Sequence, residues 1–227
     1  MRLLAIDTAL AACSAAVLNT ADGGIVANES LPMMRGHAEA LMPLIARVMK
    51  TSGLAFSELD RIAVTTGPGS FTGLRVGISA ARGLGLATKI PTVGVSTLSA
   101  LAAPYLGVDD KTPVIAVIDA RHAHVYLQVF GPGGRTLLTP RLAPLSEAVR
   151  AASDPPARIV GSAARAVADQ LSGTGPHPVT VDLRDAPDIA WVAQIGAVAS
   201  EGNAPPTPQY LRAPDAQPQN AASLPRR

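Results

Sequence analysis

Two apolar runs, residues 3–6 and 114–118, each end in an aspartate, Asp7 and Asp119, and each is followed closely by a second strand-like run, residues 11–18 and 124–130. Turn-forming residues at 19–24 and at Gly131-Pro132-Gly133-Gly134 fold each second run back. A chain patterned this way must bury a central, acid-terminated strand twice, and the duplicated motif points to two α/β halves facing a cleft. Further strands are expected at residues 25–31, 61–66, 92–95, 158–160 and 179–181. Helices are expected at 37–50, 74–87, from 96 to before Pro104, and at 146–152, 162–171 and 189–201. The Gly- and Asp-rich stretch 107–113 is the best linker, giving an N-terminal lobe 1–106 and a C-terminal lobe 107–203. Residues 204–227, rich in Pro, Ala and Gln, read as an extended tail, mobile after Asp215.

Of the 227 residues, 48% are hydrophobic and 16% charged, which excludes a disordered chain. Lys and Arg number 19 against 17 Asp and Glu, and aromatics make up 3%, so neither a dense basic patch nor an aromatic stacking platform for nucleic acid is present. A single cysteine, Cys13, leaves no intramolecular disulfide and no Cys-rich zinc site, and the four histidines form no His-Glu-x-x-His pattern. Leu10-Ala11-Ala12-Cys13 imitates a lipid-attachment box, but Asp7 interrupts the apolar run that a leader needs. The apolar stretch 76–87 is short for a bilayer, which takes about 20 residues. A cytoplasmic protein with no membrane contact is expected.

Asp7-Thr8, an acid and a hydroxyl at a strand end, suit either a phosphate or water-bound Mg²⁺, or a turn that caps local amides. The loop Gly67-Pro68-Gly69-Ser70-Phe71-Thr72-Gly73 lies between a strand and a helix. Its amides could meet an anion, or its glycines could let the helix approach the sheet; its spacing matches neither the P-loop nor the dinucleotide fingerprint. Gly77, Ala81 and Gly85 share one helix face, a stripe suited to a close helix contact inside the chain or with another subunit. Gly77, Gly83 and Gly85 each cost about 1 kcal/mol in a helix relative to Ala, which calls for a compensating contact. Leu41, Leu44, Ile45 and Val48 form an apolar stripe on the preceding helix, where Pro43 must sit in the first turn or kink the helix. His37 reads as a base, a ligand or a capping residue, and Asp119-Ala120-Arg121-His122 as a cleft lining or a solvated turn.

The run Gly67-Pro68-Gly69-Ser70-Phe71-Thr72-Gly73-Leu74-Arg75-Val76-Gly77 resembles the TsaB (YeaZ) family, accessory proteins of bacterial threonylcarbamoyladenosine synthesis on tRNA. Leu4-Ala5-Ile6-Asp7-Thr8, Arg35-Gly36-His37-Ala38-Glu39, Gly94-Val95-Ser96-Thr97-Leu98, Asp119-Ala120-Arg121, Val125-Tyr126 and Tyr210-Leu211-Arg212 also fit, so the resemblance spans residues 2–215. Ala9, where the family more often has Ser, and the extension after Ala216 depart from it.

The resemblance implies a two-lobed actin/Hsp70-like α/β fold, each lobe a mixed sheet flanked by helices. It also implies kinship with a catalytic threonylcarbamoyl transferase of the TsaD type, once labelled a glycoprotease. Aligning that paralogue's metal-binding His-x-x-x-His segment on Val95 puts the two histidine positions at Thr97 and Leu101, neither of which replaces imidazole. The implied role is a non-catalytic activator that binds this paralogue, alongside an ATPase subunit of the TsaE type. ATP and Mg²⁺ would be used by the assembly and not bound by this chain alone, and tRNA would be met indirectly. The docking surface is expected on Leu41, Leu44, Ile45 and Val48 with Gly77, Ala81 and Gly85, a surface that would also pair the chain with itself. Asp7, Thr8, Gly67 and Gly69 would remain as a vestigial nucleotide contact. The rival reading is an autonomous enzyme, an ATP-dependent transferase or a metallopeptidase.

Overall fold

The apolar run before Asp7 forms β1 (Arg2–Asp7), buried along almost its whole length, and β2 (Ala12–Asn19) and β3 (Gly24–Pro32) fold back beside it as an antiparallel meander. The structure is a computed structural model that describes residues 1–21, 23–109, 111–171, 178, 180–202 and 204–212. From β3 the chain enters α1 (His37–Ser52) and returns as β4 (Arg61–Gly67), parallel to the free edge of β1. Next, α2 (Phe71–Thr88) leads to β5 (Thr92–Ser96), parallel to β4. A short α3 (Thr97–Ala102) closes this half.

The second half repeats the plan. Strands β6 (Val114–Asp119), β7 (His124–Phe130) and β8 (Thr136–Pro144) form an antiparallel meander. After it come α4 (Leu145–Ser153), β9 (Arg158–Val160), α5 (Ala164–Leu171), β10 (Thr180–Asp182) and α6 (Ile189–Val198). The sheet orders are β3-β2-β1-β4-β5 and β10-β9-β6-β7-β8, which are the same order read from opposite ends. The repeated acid-terminated runs thus mark a repeat of the whole half, and the expected two-sheet α/β fold is present.

Three local expectations change. β8 was not anticipated: Pro140 and Pro144 obscure it in sequence, yet an edge strand tolerates proline because one side of it needs no ladder bonds. Pro43 sits inside α1 rather than in its first turn, on the solvent side. Residue 179 lies outside the described residues, and β10 begins at Thr180.

Helices pack across the expected lobe boundary in both directions. Leu98, Leu101 and Ala102 of α3 pack against Val114, Ala116 and Ile118 of β6 in the second sheet. Conversely, Ile189, Val192 and Ala193 of α6 pack against Leu3, Ala5, Ala16 and Ala63 of the first sheet. The expected lobe 107–203 therefore lends α6 to its neighbour. Residues 204–212 are likewise not a loose tail: Pro206 is buried, and the Gln209 amide donates to the Thr66 carbonyl at 2.7 Å. The expected mobility after Asp215 concerns residues outside those described.

Arg61 ties α6 in place. Its guanidinium donates to the carbonyls of Gly196 (3.0 Å), Ala197 (3.2 Å) and Ala199 (2.8 Å), covering the helix C-terminus, and pairs with Glu201 at 2.8 Å. Because the Arg61 side chain is buried and Glu201 is exposed, the carbonyl bonds outweigh the ion pair. Arg61→Ala is expected to cost about 2–3 kcal/mol of unfolding free energy, whereas Glu201→Gln costs less than about 1 kcal/mol; urea unfolding of both variants checks the order.

Candidate functional site

The Gly-rich loop is shaped by what it presses against. The Thr8 hydroxyl donates to the Gly73 carbonyl at 2.7 Å, and the Ser70 amide donates to the Ala9 carbonyl at 2.7 Å. Ser70 caps α2, its Oγ accepting from the Gly73 amide at 3.3 Å. A β-carbon at Gly69 would collide with the Ala9 carbonyl, and one at Gly73 with the Thr8 carbonyl. The amides of Ser70 and Gly73 are already bonded within the chain, which fits the packing-turn reading of this loop. Gly67, at φ 116°, has the Gln209 carbonyl 2.9 Å from where a β-carbon would stand.

Asp7 and Thr8 are sealed beneath this loop. Asp7 Oδ1 accepts from the Thr65 hydroxyl (2.6 Å) and the Ala9 amide (3.0 Å), while Oδ2 is buried with no partner among the described residues. Burial pushes the Asp7 carboxyl above the usual carboxylate range, against these hydrogen bonds and nearby His37. Burial, with Asp7 close by, also lifts the Cys13 thiol to about 11, leaving it an inert core side chain.

Between the lobes lies a cavity of about 570 Å³, lined by Leu10, Pro68 to Phe71, Ile118 to Arg121, Tyr126 and Gln209 to Arg212. Of the four expected nucleotide contacts only Gly69 lines it. Asp7 and Thr8 are buried away from it, and Gly67 is covered by the C-terminal segment, which corrects that expectation. Across the cavity, exposed Asp119 accepts the Arg121 amide at 2.9 Å and holds a turn in which Arg121, His122 and Ala123 are all left-handed. His37 is buried, its Nε2 bonded to the Leu10 carbonyl at 3.1 Å, a positioning contact at the start of α1.

The expected docking surface is also corrected. Leu41, Leu44, Ile45 and Val48 are buried in the first lobe's core, packed with Leu4, Ile6 and Val64. A β-carbon at Gly77 would meet Thr8 Oγ1, one at Gly85 would stand 2.6 Å from Thr92 Cγ2, and Ala81 is fully buried. Both stripes therefore face the chain's own sheet. The opposite sides of the same helices carry exposed Met42, Phe71 and Leu86, with exposed Met34 just before α1. Sequence reasoning also missed the union of Phe71, Arg75 and Tyr210 beside the cavity: residues 135 positions apart carry no local periodicity that would join them.

Thr97 and Leu101, the positions matched to the paralogue's metal ligands, are both fully buried, Leu101 in the apolar cluster between α3 and β6. These residues do not fit a metal ion. Among the described residues no three His, Cys, Asp or Glu side chains gather as a metal site. Among them, too, no helix is long and apolar enough to cross a membrane.

Two measurements follow from this packing. The Thr8 hydroxyl is held by Gly73 and cannot turn aside, so Gly77→Ala is expected to lose about 1–3 kcal/mol, while Gly83→Ala, with open space around it, gains up to about 1 kcal/mol; chemical denaturation resolves both. Because the folded pKa of Asp7 is raised, its contribution to stability is fully present below its unfolded pKa and lost as pH rises through the folded one. The melting temperature of Asp7→Asn relative to wild type should therefore rise as pH increases above about 4, and a flat difference would contradict a buried protonated acid.

The family model described as "TsaD: tRNA N6-adenosine threonylcarbamoyltransferase" matches residues 11–185. The tRNA threonylcarbamoyladenosine biosynthesis protein TsaB of Escherichia coli is 43% identical over 56% of this chain and 53% of its own length. Its namesake in Haemophilus influenzae is 37% identical over 56% and 52%, so the chain spans about half the length of these curated relatives. An uncharacterized protein of Mycobacterium tuberculosis is 32% identical over 95% of this chain and 94% of its own. Among solved structures, YeaZ from Pseudomonas aeruginosa superposes with a TM-score of 0.74 at 27% identity, covering 92% of this chain and 99% of that one. Sequence and superposition agree, and the chain belongs to the TsaB (YeaZ) family, within the wider group that the transferase model describes.

Proposed function

We propose that the chain is a non-catalytic subunit of the machinery that makes threonylcarbamoyladenosine beside the anticodon of tRNA. It binds a catalytic transferase paralogue of the TsaD type and holds it in an active assembly. The observation that carries this reading is the pair Thr97 and Leu101: where the paralogue is expected to hold its metal, this chain has an apolar core between α3 and β6. A protein cannot keep a Lewis acid at a place it has filled with leucine. The closed Thr8–Gly73 contact and the buried Asp7 further support a chain that binds no nucleotide or metal by itself, the ATP chemistry belonging to the assembly and its TsaE-type ATPase. The relatives named for this biosynthesis give the pathway.

The partner surface is the outward side of α1 and α2. Met42 and Leu86, the latter 82% exposed, present large apolar side chains to solvent on helices whose inward sides are filled by the core, and exposed Met34 lies just before α1. The same side serves self-association when the partner is absent, and tRNA is met through the assembly, in the cytoplasm.

Reconstitution tests the reading. Purified transferase paralogue, ATPase subunit, tRNA, threonylcarbamoyl adenylate and ATP should yield modified adenosine only when this chain is added. Elemental analysis of the chain should find no stoichiometric transition metal. Modification without the chain, or peptide cleavage by the chain alone, would sink the proposal. Met42→Glu and Leu86→Glu are each expected to leave unfolding free energy within about 0.5 kcal/mol and to weaken co-purification with the paralogue at least tenfold, whereas Ala81→Arg, which forces a charge into the core, should cost more than about 3 kcal/mol.

A further inference from the structure

The C-terminal segment lies across both lobes at the edge of the cavity. On the first lobe, Pro206 is buried beside Gly94, and the Gln209 amide donates to the Thr66 carbonyl at 2.7 Å, continuing past the end of β4. Tyr210 then stacks on Phe71 with ring centroids 5.2 Å apart. Arg75 completes this grip: its guanidinium carbon lies 3.8 Å over the Phe71 ring, and its Nε donates to the Tyr210 hydroxyl at 3.0 Å.

Two residues later the segment reaches the second lobe, where Arg212 Nη1 donates to the Ala120 carbonyl at 2.9 Å. That carbonyl belongs to the turn between β6 and β7, whose Arg121, His122 and Ala123 stand at φ 63°, 54° and 58°. Three successive non-glycine residues in the left-handed region are strained and persist only where neighbouring groups hold them. Asp119 holds this turn from within through the Arg121 amide, and Arg212 holds it from across the cleft.

We propose that residues 206–212 form a releasable clasp between the lobes: Tyr210 fastens it to the start of α2, Arg212 fastens it to the strained turn of the second lobe, and the cleft opens only when the segment lets go. The Tyr210 and Arg212 end of the clasp sits on partly exposed contacts, Tyr210 and Phe71 each being a little over 40% accessible, so it releases while buried Pro206 keeps the segment seated on the first lobe. This device works whichever partner the chain serves, and it goes beyond the activator role.

Hydrogen exchange on the full-length chain tests the clasp, because it predicts effects in the lobe that a substitution does not touch. Arg212→Ala removes a contact to the second lobe, yet amides of residues 71–75 in the first lobe should exchange faster, by about fivefold. Tyr210→Ala removes a contact to the first lobe, yet residues 120–124 should exchange faster by a similar factor. Tyr210→Phe, which keeps the ring and loses only the bond from Arg75, should give an intermediate effect and remains informative if the alanine variant folds poorly. Small-angle scattering should show a larger radius of gyration for the double variant. Exchange that rises only beside each substitution would overturn the proposal. So would a rise of equal size in the core amides of β1 and β6, since the segment would then merely stabilise the fold as a whole.

Discussion

Thr8 meeting the first turns of α2 is the contact on which the cleft side of the molecule depends. Its hydroxyl binds the Gly73 carbonyl, its carbonyl lies where residue 73 would have a side chain, and its Oγ1 lies where residue 77 would have one. The helix backbone can therefore reach the end of β1 itself. With α2 anchored there, the inward side of the helix is committed to Thr8, Val64 and Thr92, and its outward side carries Phe71, Arg75 and Leu86 into solvent. The loop from Gly67 to Ser70 is seated on Ala9 by the same packing.

Buried polar residues gather at the same end of β1. Asp7 keeps one oxygen bonded to Thr65 and Ala9 and the other without a described partner, a costly arrangement for a charged carboxylate and a tolerable one for a neutral acid. Cys13 and His37, close by, are respectively packed as an apolar side chain and tied to the Leu10 carbonyl. All three are buried, and together they fix the corner where β1, the Gly-rich loop and α1 converge.

Much of the fold could be read from the chain because period and punctuation were unambiguous. Asp7 and Asp119 end apolar runs, and the glycine turns bound the strands that follow them. Where punctuation misled, the cause was local chemistry: Pro140 and Pro144 hid β8, and the Pro-rich composition of residues 204–208 hid a segment that is seated on the first lobe. The site was less legible, for a different reason. An amphipathic stripe such as Leu41, Leu44, Ile45 and Val48 states that a face is buried; it does not state against what. The same holds for Gly77, Ala81 and Gly85. Only tertiary structure distinguishes a helix side turned to its own sheet from one turned to another molecule, and the pairing of Arg75 with Tyr210 has no signature in either segment alone.

The exchange of α3 and α6 between the sheets has a consequence for how such a chain could arise and be divided. Each half carries the helix that covers the other half's strands, so a cut in the linker leaves two fragments, each with one bare apolar sheet face and one stranded helix. This is the relation of two protomers in a domain-swapped dimer, here joined end to end. Gene fusion of two such halves would turn a pair that trades helices into a single chain with two dissimilar lobes. Once fused, the halves were free to diverge in their loops but not in the faces they lend each other. At the crossing Gly196 meets Ala63, and a β-carbon on the glycine would collide with the alanine side chain.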